Sequence, residues 1–600
     1  MLLLALLACS GPDGTASDDT AAIVDDGCVH PLWEGAWPFP SNALVTRDTA
    51  SPTGVRLTID PALVPMTRND GIALDTTHLA DLDGFSRVAP VVVQLDTAVD
   101  PAAFDVVSDA TAPVGILDVE AGTIVAGRLT VTTDGTTLTV WPDAALRPAA
   151  LHAIVLREDV PTGTCFSGGP AAIAAERAGD ALAEDIAAAR ASLDTAGIEG
   201  VAVVIPFTTR SLASESQTMT ALAAQVPDLV SPSDLTVTFA DCAAEGDAYC
   251  AAGVAYVGRG TARLPTWQGA EGVFVTDADG VPAVQGAEDV TFYLLVPDVG
   301  PDATAPLVVL QHGLGGDKEG LLGVGQVLVA GGYGVVAIDA VAHGERPRDG
   351  DTTLVFFGVE FEQWKVARAR DNVRQTSADH LAIRTILAES AAGGFLPDLD
   401  LDPEDARYVG QSLGGIIGAS TCALDTGIDR CVLNVPGGRL IEIVRANAAY
   451  AALLNIYFSP GEQDADVELF SAMAQIVVDP GDPALAAPRI VGVAPARPLL
   501  VQEAIHDDTV VNQTTEVLAR SVGLPLLEPS LEDIVGIASA DMPVTDNLVG
   551  AEGVAVTAGL AQFDAEHPFL ATGEPEGSRA LRQILTFLDT GRIEESAVGE

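Results

Sequence analysis

Apolar and polar positions alternate along residues 88–99 and again along residues 129–141, where Asp134-Gly135 divides two alternating runs. A period of two predicts strands buried on one face, and an Asp-Gly pair between two such runs predicts a hairpin. The stretch from about residue 28 to residue 160 therefore reads as a β-rich, sandwich-like region. The rhythm changes at Pro170. Residues 170–196 are Ala-rich with charges spaced along them and stop at Gly197, which predicts one long helix. A second β-rich stretch covers residues 235–296. From residue 291 onward short apolar runs (292–296, 307–310, 335–338, 407–409, 431–435 and 499–501) are separated by helix-length segments. Short buried strands alternating with helices predict an α/β fold, a doubly wound and mostly parallel sheet covered on both faces. Between Pro436 and Arg489 this pattern breaks, and residues 448–458 and 469–478 are apolar on more than one face. They read either as a helical cap over residues 436–490 or as core helices. The layout expected is thus a leader and polar tether (1–27), a β-rich region (28–160), a helix plus β-rich connection (161–290) and an α/β domain (291–600).

Charge narrows the partners. The 600 residues carry 30 Lys and Arg against 84 Asp and Glu, a formal net charge of -54. Nucleic-acid binding depends on clustered cations and is excluded on that balance. The acidity reads as a solvated surface. At the start, residues 2–8 are apolar and far too short to span a membrane, and Cys9 follows them, ahead of a small, polar stretch. The arrangement resembles a bacterial lipoprotein signal, with Cys9 as the lipid attachment site, although the basic residues expected ahead of the apolar segment are missing. Six further cysteines remain: Cys28, Cys165, Cys242, Cys250, Cys422 and Cys431. An even number suits three disulfides in an oxidising compartment. Cys242 with Cys250 and Cys422 with Cys431 would close small loops and leave Cys28 with Cys165, though sequence alone leaves other pairings open. No CxxC or Cys/His cluster suggests a metal.

The chemistry centres on Gly410-Gln411-Ser412-Leu413-Gly414, which follows an apolar strand and opens an apolar helix. A serine on a tight strand-to-helix turn projects its hydroxyl above the sheet, and glycines on either side let strand and helix approach. The hydroxyl needs a base, and the base an acid, in the order Ser, acid, His. Only His506 and His567 follow Ser412 in the chain, and His506 is too near the acidic turn, so His567 is the expected base. Residues 498–511 read as a buried strand running into Asp507-Asp508, and Asp508 is the expected acid, with Asp507 next in line. Glu503 still belongs to the strand, while Asp564 and Glu566 lie too close to His567. The Gly-rich turn His312-Gly313-Leu314-Gly315-Gly316 follows an early strand. Its Leu314 N–H, with the Leu413 N–H, is expected to form the oxyanion hole, and His312 to order the loop. The acidic run at residues 398–405 lacks the Gly and distal Glu of a calcium loop and reads as a turn.

These residues, in this order, resemble the α/β-hydrolases of the esterase and lipase type over residues 291–600. Upstream, Pro38-Phe39-Pro40-Ser41-Asn42-Ala43-Leu44, Leu82-Asp83-Gly84-Phe85, Pro206-Phe207-Thr208-Thr209 and Gly258-Arg259-Gly260-Thr261-Ala262-Arg263-Leu264-Pro265 are similar to the amino-terminal part of secreted bacterial lipases, including the extracellular virulence-factor group. The resemblance implies an exported enzyme, secreted or held at the outer membrane or cell surface as a lipoprotein. It would cleave acyl esters such as phospholipid, lysophospholipid or triglyceride through an acyl-enzyme, with no metal or organic cofactor. The spacing of 59 positions from Asp508 to His567 requires an extra excursion around residues 524–556. Two other readings remain open: the same triad acting on amides, peptides or polyester, and a surface-binding lipoprotein with a vestigial hydrolase domain.

Overall fold

A computed structural model describes residues 27–33, 35–65, 74–79, 82–104, 106–108, 111–158, 163–168, 181–277, 280–300, 303–346, 349–360, 364–393, 399–458 and 464–594. Cys9, the apolar segment before it, the tether and the first part of the helix expected from residue 170 lie outside them. Among the described residues no helix is long and apolar enough to cross a membrane.

The first strands among the described residues form a short hairpin, β1 (Val45–Arg47) and β2 (Val55–Leu57). Eight further strands follow: β3 (Val91–Gln94), β4 (Val106–Ser108), β5 (Val114–Asp118), β6 (Thr123–Val125), β7 (Gly127–Val131), β8 (Thr137–Pro142), β9 (Leu151–Arg157) and β10 (Val201–Thr208). They form two four-stranded antiparallel sheets, ordered β3-β8-β7-β4 and β10-β9-β5-β6. Val91, Val93, Leu138 and Val140 of one sheet and Ile116, Ile154, Leu156 and Ile205 of the other share one buried cluster. The expected hairpin is β7-β8, with Val131 opposite Leu138 and the turn closed by Thr136 N–H donating to Asp134 Oδ1 at 3.0 Å. The described part of the Ala-rich helix is Ala181–Ala196, ended by Gly197 at φ +68°. That left-handed conformation suits glycine and stops a helix.

The remaining strands are β11 (Leu235–Asp241), β12 (Val254–Thr266), β13 (Gly286–Pro297), β14 (Ala305–Gln311), β15 (Gly334–Ile338), β16 (Leu401–Gln411), β17 (Ile428–Asn434), β18 (Leu499–Ala504), β19 (Leu526–Glu528), β20 (Ser539–Asp541), β21 (Leu548–Val549), β22 (Ala555–Val556) and β23 (Ala558–Phe563). All but the β21-β22 hairpin join one eleven-stranded sheet, ordered β11-β12-β13-β15-β14-β16-β17-β18-β23-β19-β20. From β15 to β20 every neighbouring pair is parallel, and β11, β12 and β13 are antiparallel additions at one edge. The sheet therefore begins before residue 291, and the connection upstream supplies its first strands. The excursion after residue 524 extends the far edge as β19 and β20.

Alternate side chains of the central strands face different helical layers. Leu307 and Val309 pack with the helices Leu212–Leu229, Val366–Ala392 and Leu413–Leu424. Val308 and Leu310 pack with Leu322–Ala330 and Pro575–Thr590. A sheet buried on both faces has apolar residues in consecutive positions, which is why these strands read as unbroken runs. Helix Asp464–Val478, within the expected cap, is buried from Glu468 to Val478 and shares its apolar cluster with the amino-terminal sheets. It is a core element wedged between the two regions. The disulfides are Cys28–Cys165, Cys242–Cys250 and Cys422–Cys431. They indicate folding in an oxidising environment.

Candidate active site

Ser412 stands between β16 and helix Leu413–Leu424 with φ 58° and ψ -119°, a conformation unusual for any residue with a Cβ. The neighbouring glycines explain how the turn closes. A Cβ at Gly410 would lie 2.2 Å from the Gly414 carbonyl oxygen, and one at Gly414 would lie 2.2 Å from the Gln311 carbonyl oxygen. Tyr408 Oη donates to the Gly414 carbonyl at 2.7 Å, and the Ser412 N–H donates to the Asn434 carbonyl at 2.9 Å. The strained turn is thereby pinned to strand and helix on both sides.

β18 and β23 are adjacent and parallel, so their carboxyl ends open onto the same edge of the sheet as Ser412. His567 follows β23. Its Nε2 is 2.7 Å from Ser412 Oγ and its Nδ1 is 2.6 Å from Asp507 Oδ2. An ionised carboxylate only accepts, so Nδ1 carries the proton and the bare Nε2 accepts from the serine hydroxyl.

The carboxylate against His567 is that of Asp507, which corrects the expectation of Asp508. Backbone hydrogen bonding decides between the neighbours. Thr509 N–H and Val510 N–H donate to Asp507 Oδ1 at 2.9 and 2.8 Å, folding the side chain back over the strand end and leaving Oδ2 for the imidazole. One residue further on, the Asp508 side chain is exposed and, among the described residues, takes only the Thr509 hydroxyl, at 3.3 Å. The Asp508 carbonyl accepts from Asn447 Nδ2 at 3.0 Å, and Asn447 Oδ1 caps helix Ala448–Tyr457. Asn447, which ties the acidic turn to the next layer, has no signal in the sequence beyond being an Asn ahead of an apolar run. His506 points away and pairs with Asp564 at 2.9 Å on the surface.

The turn after β14 abuts the serine: a Cβ at Gly313 would be 3.2 Å from Ser412 Cβ. Leu314 lies beside Ser412, and the Leu413 N–H opens its helix, among the amides that have no partner within a helix. His312 is buried, its Nδ1 2.8 Å from the Gly313 carbonyl and its Nε2 accepting from Ala340 N–H at 3.1 Å. Burial lowers its pKa. It holds the loop, with both ring nitrogens occupied. His380 does similar work beneath the site, bonded to Thr421 Oγ1 and Gln311 Oε1, and burial lowers its pKa to about 3.

Above Ser412 is an apolar cleft of 50 Å³, walled by Leu314, Phe357, Leu440, Ile443, Tyr450 and Val510 among others. None of the described residues that line it is charged. Leu440, Ile443 and Tyr450 belong to the segment expected as a cap. Phe356, Phe357 and Trp364 come from a stretch that sequence reasoning did not single out, where the aromatic pair after Val355 was the available signal.

No protein-family model and no curated protein sequence matches the chain. Solved structures with a similar backbone include the acetyl xylan esterase of Thermoanaerobacterium sp., 15% identical, covering 62% of this chain and 94% of that one at a TM-score of 0.36. A second acetyl xylan esterase, from Paenibacillus sp., is 14% identical and covers 60% and 91% at 0.35. A putative dienelactone hydrolase of Klebsiella pneumoniae is 16% identical and covers 51% and 95% at 0.31. At these scores the likeness adds nothing to what the strand order and the serine, imidazole and carboxylate geometry establish.

Proposed function

We propose that the chain is an exported serine hydrolase of carboxylic esters with short, uncharged acyl groups. The observation that carries this reading is the unbroken hydrogen-bond chain from Ser412 Oγ through His567 to Asp507 at a strained strand-to-helix turn. Ser412 Oγ attacks the ester carbonyl carbon as its proton passes to His567 Nε2. The Asp507 carboxylate orients the ring and stabilises the imidazolium. The N–H groups of Leu314 and Leu413 donate to the oxyanion. The carbon–oxygen bond to the alcohol breaks, and the alcohol leaves with the proton from His567. Water, deprotonated by the same nitrogen, then attacks the acyl-enzyme, releasing the acid and restoring the Ser412 hydroxyl.

The uncharged lining and small volume of the cleft favour acetyl to butyryl groups over the lipid chains that the resemblance implies. The disulfides support export, and a lipid on Cys9 would then hold the enzyme at a membrane surface. Labelling by a fluorophosphonate and turnover of p-nitrophenyl acetate, butyrate and octanoate test the reading. Labelling and turnover should vanish in Ser412→Ala, with kcat/KM highest for the short esters. An unlabelled wild-type protein would overturn the catalytic reading. Incorporation of an alkyne palmitate, abolished by Cys9→Ser, tests the anchor.

A further inference from the structure

A cavity of 280 Å³, larger than the cleft over Ser412, lies on the far side of helix Leu413–Leu424. It is bounded by that helix, by helix Leu212–Leu229 and by residues 479–493. Its lining combines Met219, Ala223, Leu424, Leu485 and Val493 with a small polar group: Glu215, Ser420, Asp479 and Arg489. The charges in this wall do not cancel. Glu215 is already neutralised by Arg87, whose Nε and Nη2 reach its two oxygens at 2.7 and 3.0 Å. Arg489 is half-buried, and no hydrogen bond or ion pair of its side chain is found among the described residues; the carboxylate acting on it is Glu215, which Arg87 already holds. Two guanidiniums, Arg87 and Arg489, thus share the one carboxylate of Glu215, and a further anion beside Arg489 would balance the second.

Two further groups await a partner. Asp479 is 1% exposed, and its Oδ1 accepts from Ser86 Oγ at 2.9 Å and Gln475 Nε2 at 3.2 Å, whereas its Oδ2 has no partner among the described residues. Ser420 is 3% exposed, and its Oγ likewise has no partner among the described residues. Buried polar atoms left unpaired are uncommon and call for an explanation. Burial holds the Asp479 carboxyl well above the usual carboxylate range, so it offers a donor where a charge would repel an anion.

We propose that this cavity binds a small aliphatic monocarboxylate, its anionic head on Arg489 beside Asp479 and Ser420 and its tail against Met219, Leu424 and Leu485. A carboxylate matches the planar fork of a guanidinium and can accept from a protonated acid and a hydroxyl at once. The site rests on these residues alone and not on the catalytic role of Ser412.

Calorimetric titration of hexanoate into the full-length Ser412→Ala protein tests it. Saturable binding with Kd below about 1 mM is expected. Arg489→Gln and Met219→Trp, the second filling the cavity, should each weaken binding at least tenfold while keeping the parent's thermal transition. Should Met219→Trp lose that transition, Arg489→Gln decides alone. Hexylamine, with a similar tail and the opposite charge, should not bind. Absence of saturable hexanoate binding, binding unchanged by Arg489→Gln, or equal binding of hexylamine would overturn the proposal. Because the readout involves no hydrolysis, it stands or falls apart from the proposed activity.

Discussion

Asp507 and Asp508 share a turn and a side chain, yet only the first is fastened by two backbone amides with an oxygen left for His567. If the imidazole depends on that carboxylate for its tautomer, the two aspartates should separate cleanly on mutation. Asp507→Ala is expected to lower kcat on p-nitrophenyl acetate by about 10,000-fold. Asp508→Ala, which removes an exposed carboxylate, should stay within about twofold of wild type, by the same assay. The order of Ser412, an acid and His567 was legible because chain order limits the candidates to few residues. Choosing between adjacent aspartates was not, because no periodicity governs an irregular turn. The deciding contacts are amides of Thr509 and Val510, which every residue but proline possesses.

Among the elements, β16, the serine turn and helix Leu413–Leu424 form the most constrained unit. Their glycines act through close approach: Gly414 meets the backbone of Gln311 and His312, and a Cβ at Gly418 would lie 2.3 Å from the Tyr408 ring. A backbone neighbour cannot rotate aside, so Gly414→Ala should destabilise the protein by about 1–3 kcal/mol, read from the urea midpoint. The central strands were legible as apolar runs because both of their faces are covered. Helix Val366–Ala392 was not legible as core, since Arg, Asp, Gln and His recur along it. Its polar residues are nonetheless buried in pairs, Arg370 with Asp371, Asp379 with Arg346 and Arg384 with Asp425. Buried charges are stable only when matched, and the partners of Asp379 and Arg384 lie far away in sequence. At the same scale, Phe357 closes one wall of the cleft over Ser412. Phe357→Ala should open it and raise kcat/KM for p-nitrophenyl octanoate relative to acetate by about tenfold, if acyl length is set by this wall.

The whole molecule couples its two regions through one apolar cluster, in which the amino-terminal sheets meet helix Asp464–Val478. Unfolding by urea should therefore give coincident transitions in circular dichroism and in fluorescence, the tryptophans being divided between the regions as Trp33, Trp37 and Trp141 against Trp267 and Trp364. Stability should also bend with pH in two opposing ways. Burial lowers His152 to about 4 and His380 to about 3, so the unfolded chain binds more protons once the pH drops below the ordinary histidine range. Their contribution is complete above about pH 6.5 and is lost as the pH falls toward those values. Glu503 behaves oppositely. It sits between β18 and β23 with Gln562 Nε2 at 3.0 Å, and burial raises it to about 7. Here the folded state holds the extra proton, so the contribution is complete below about pH 4.5 and disappears as the pH rises through 7. Glu503→Gln keeps the shape and the Gln562 hydrogen bond without the titration. Relative to wild type, this variant should gain stability between about pH 5 and pH 8, by about 3 kcal/mol at full effect. Thermal or urea unfolding at the two pH values measures the gain, and a difference independent of pH would mean that Glu503 is not the group responsible.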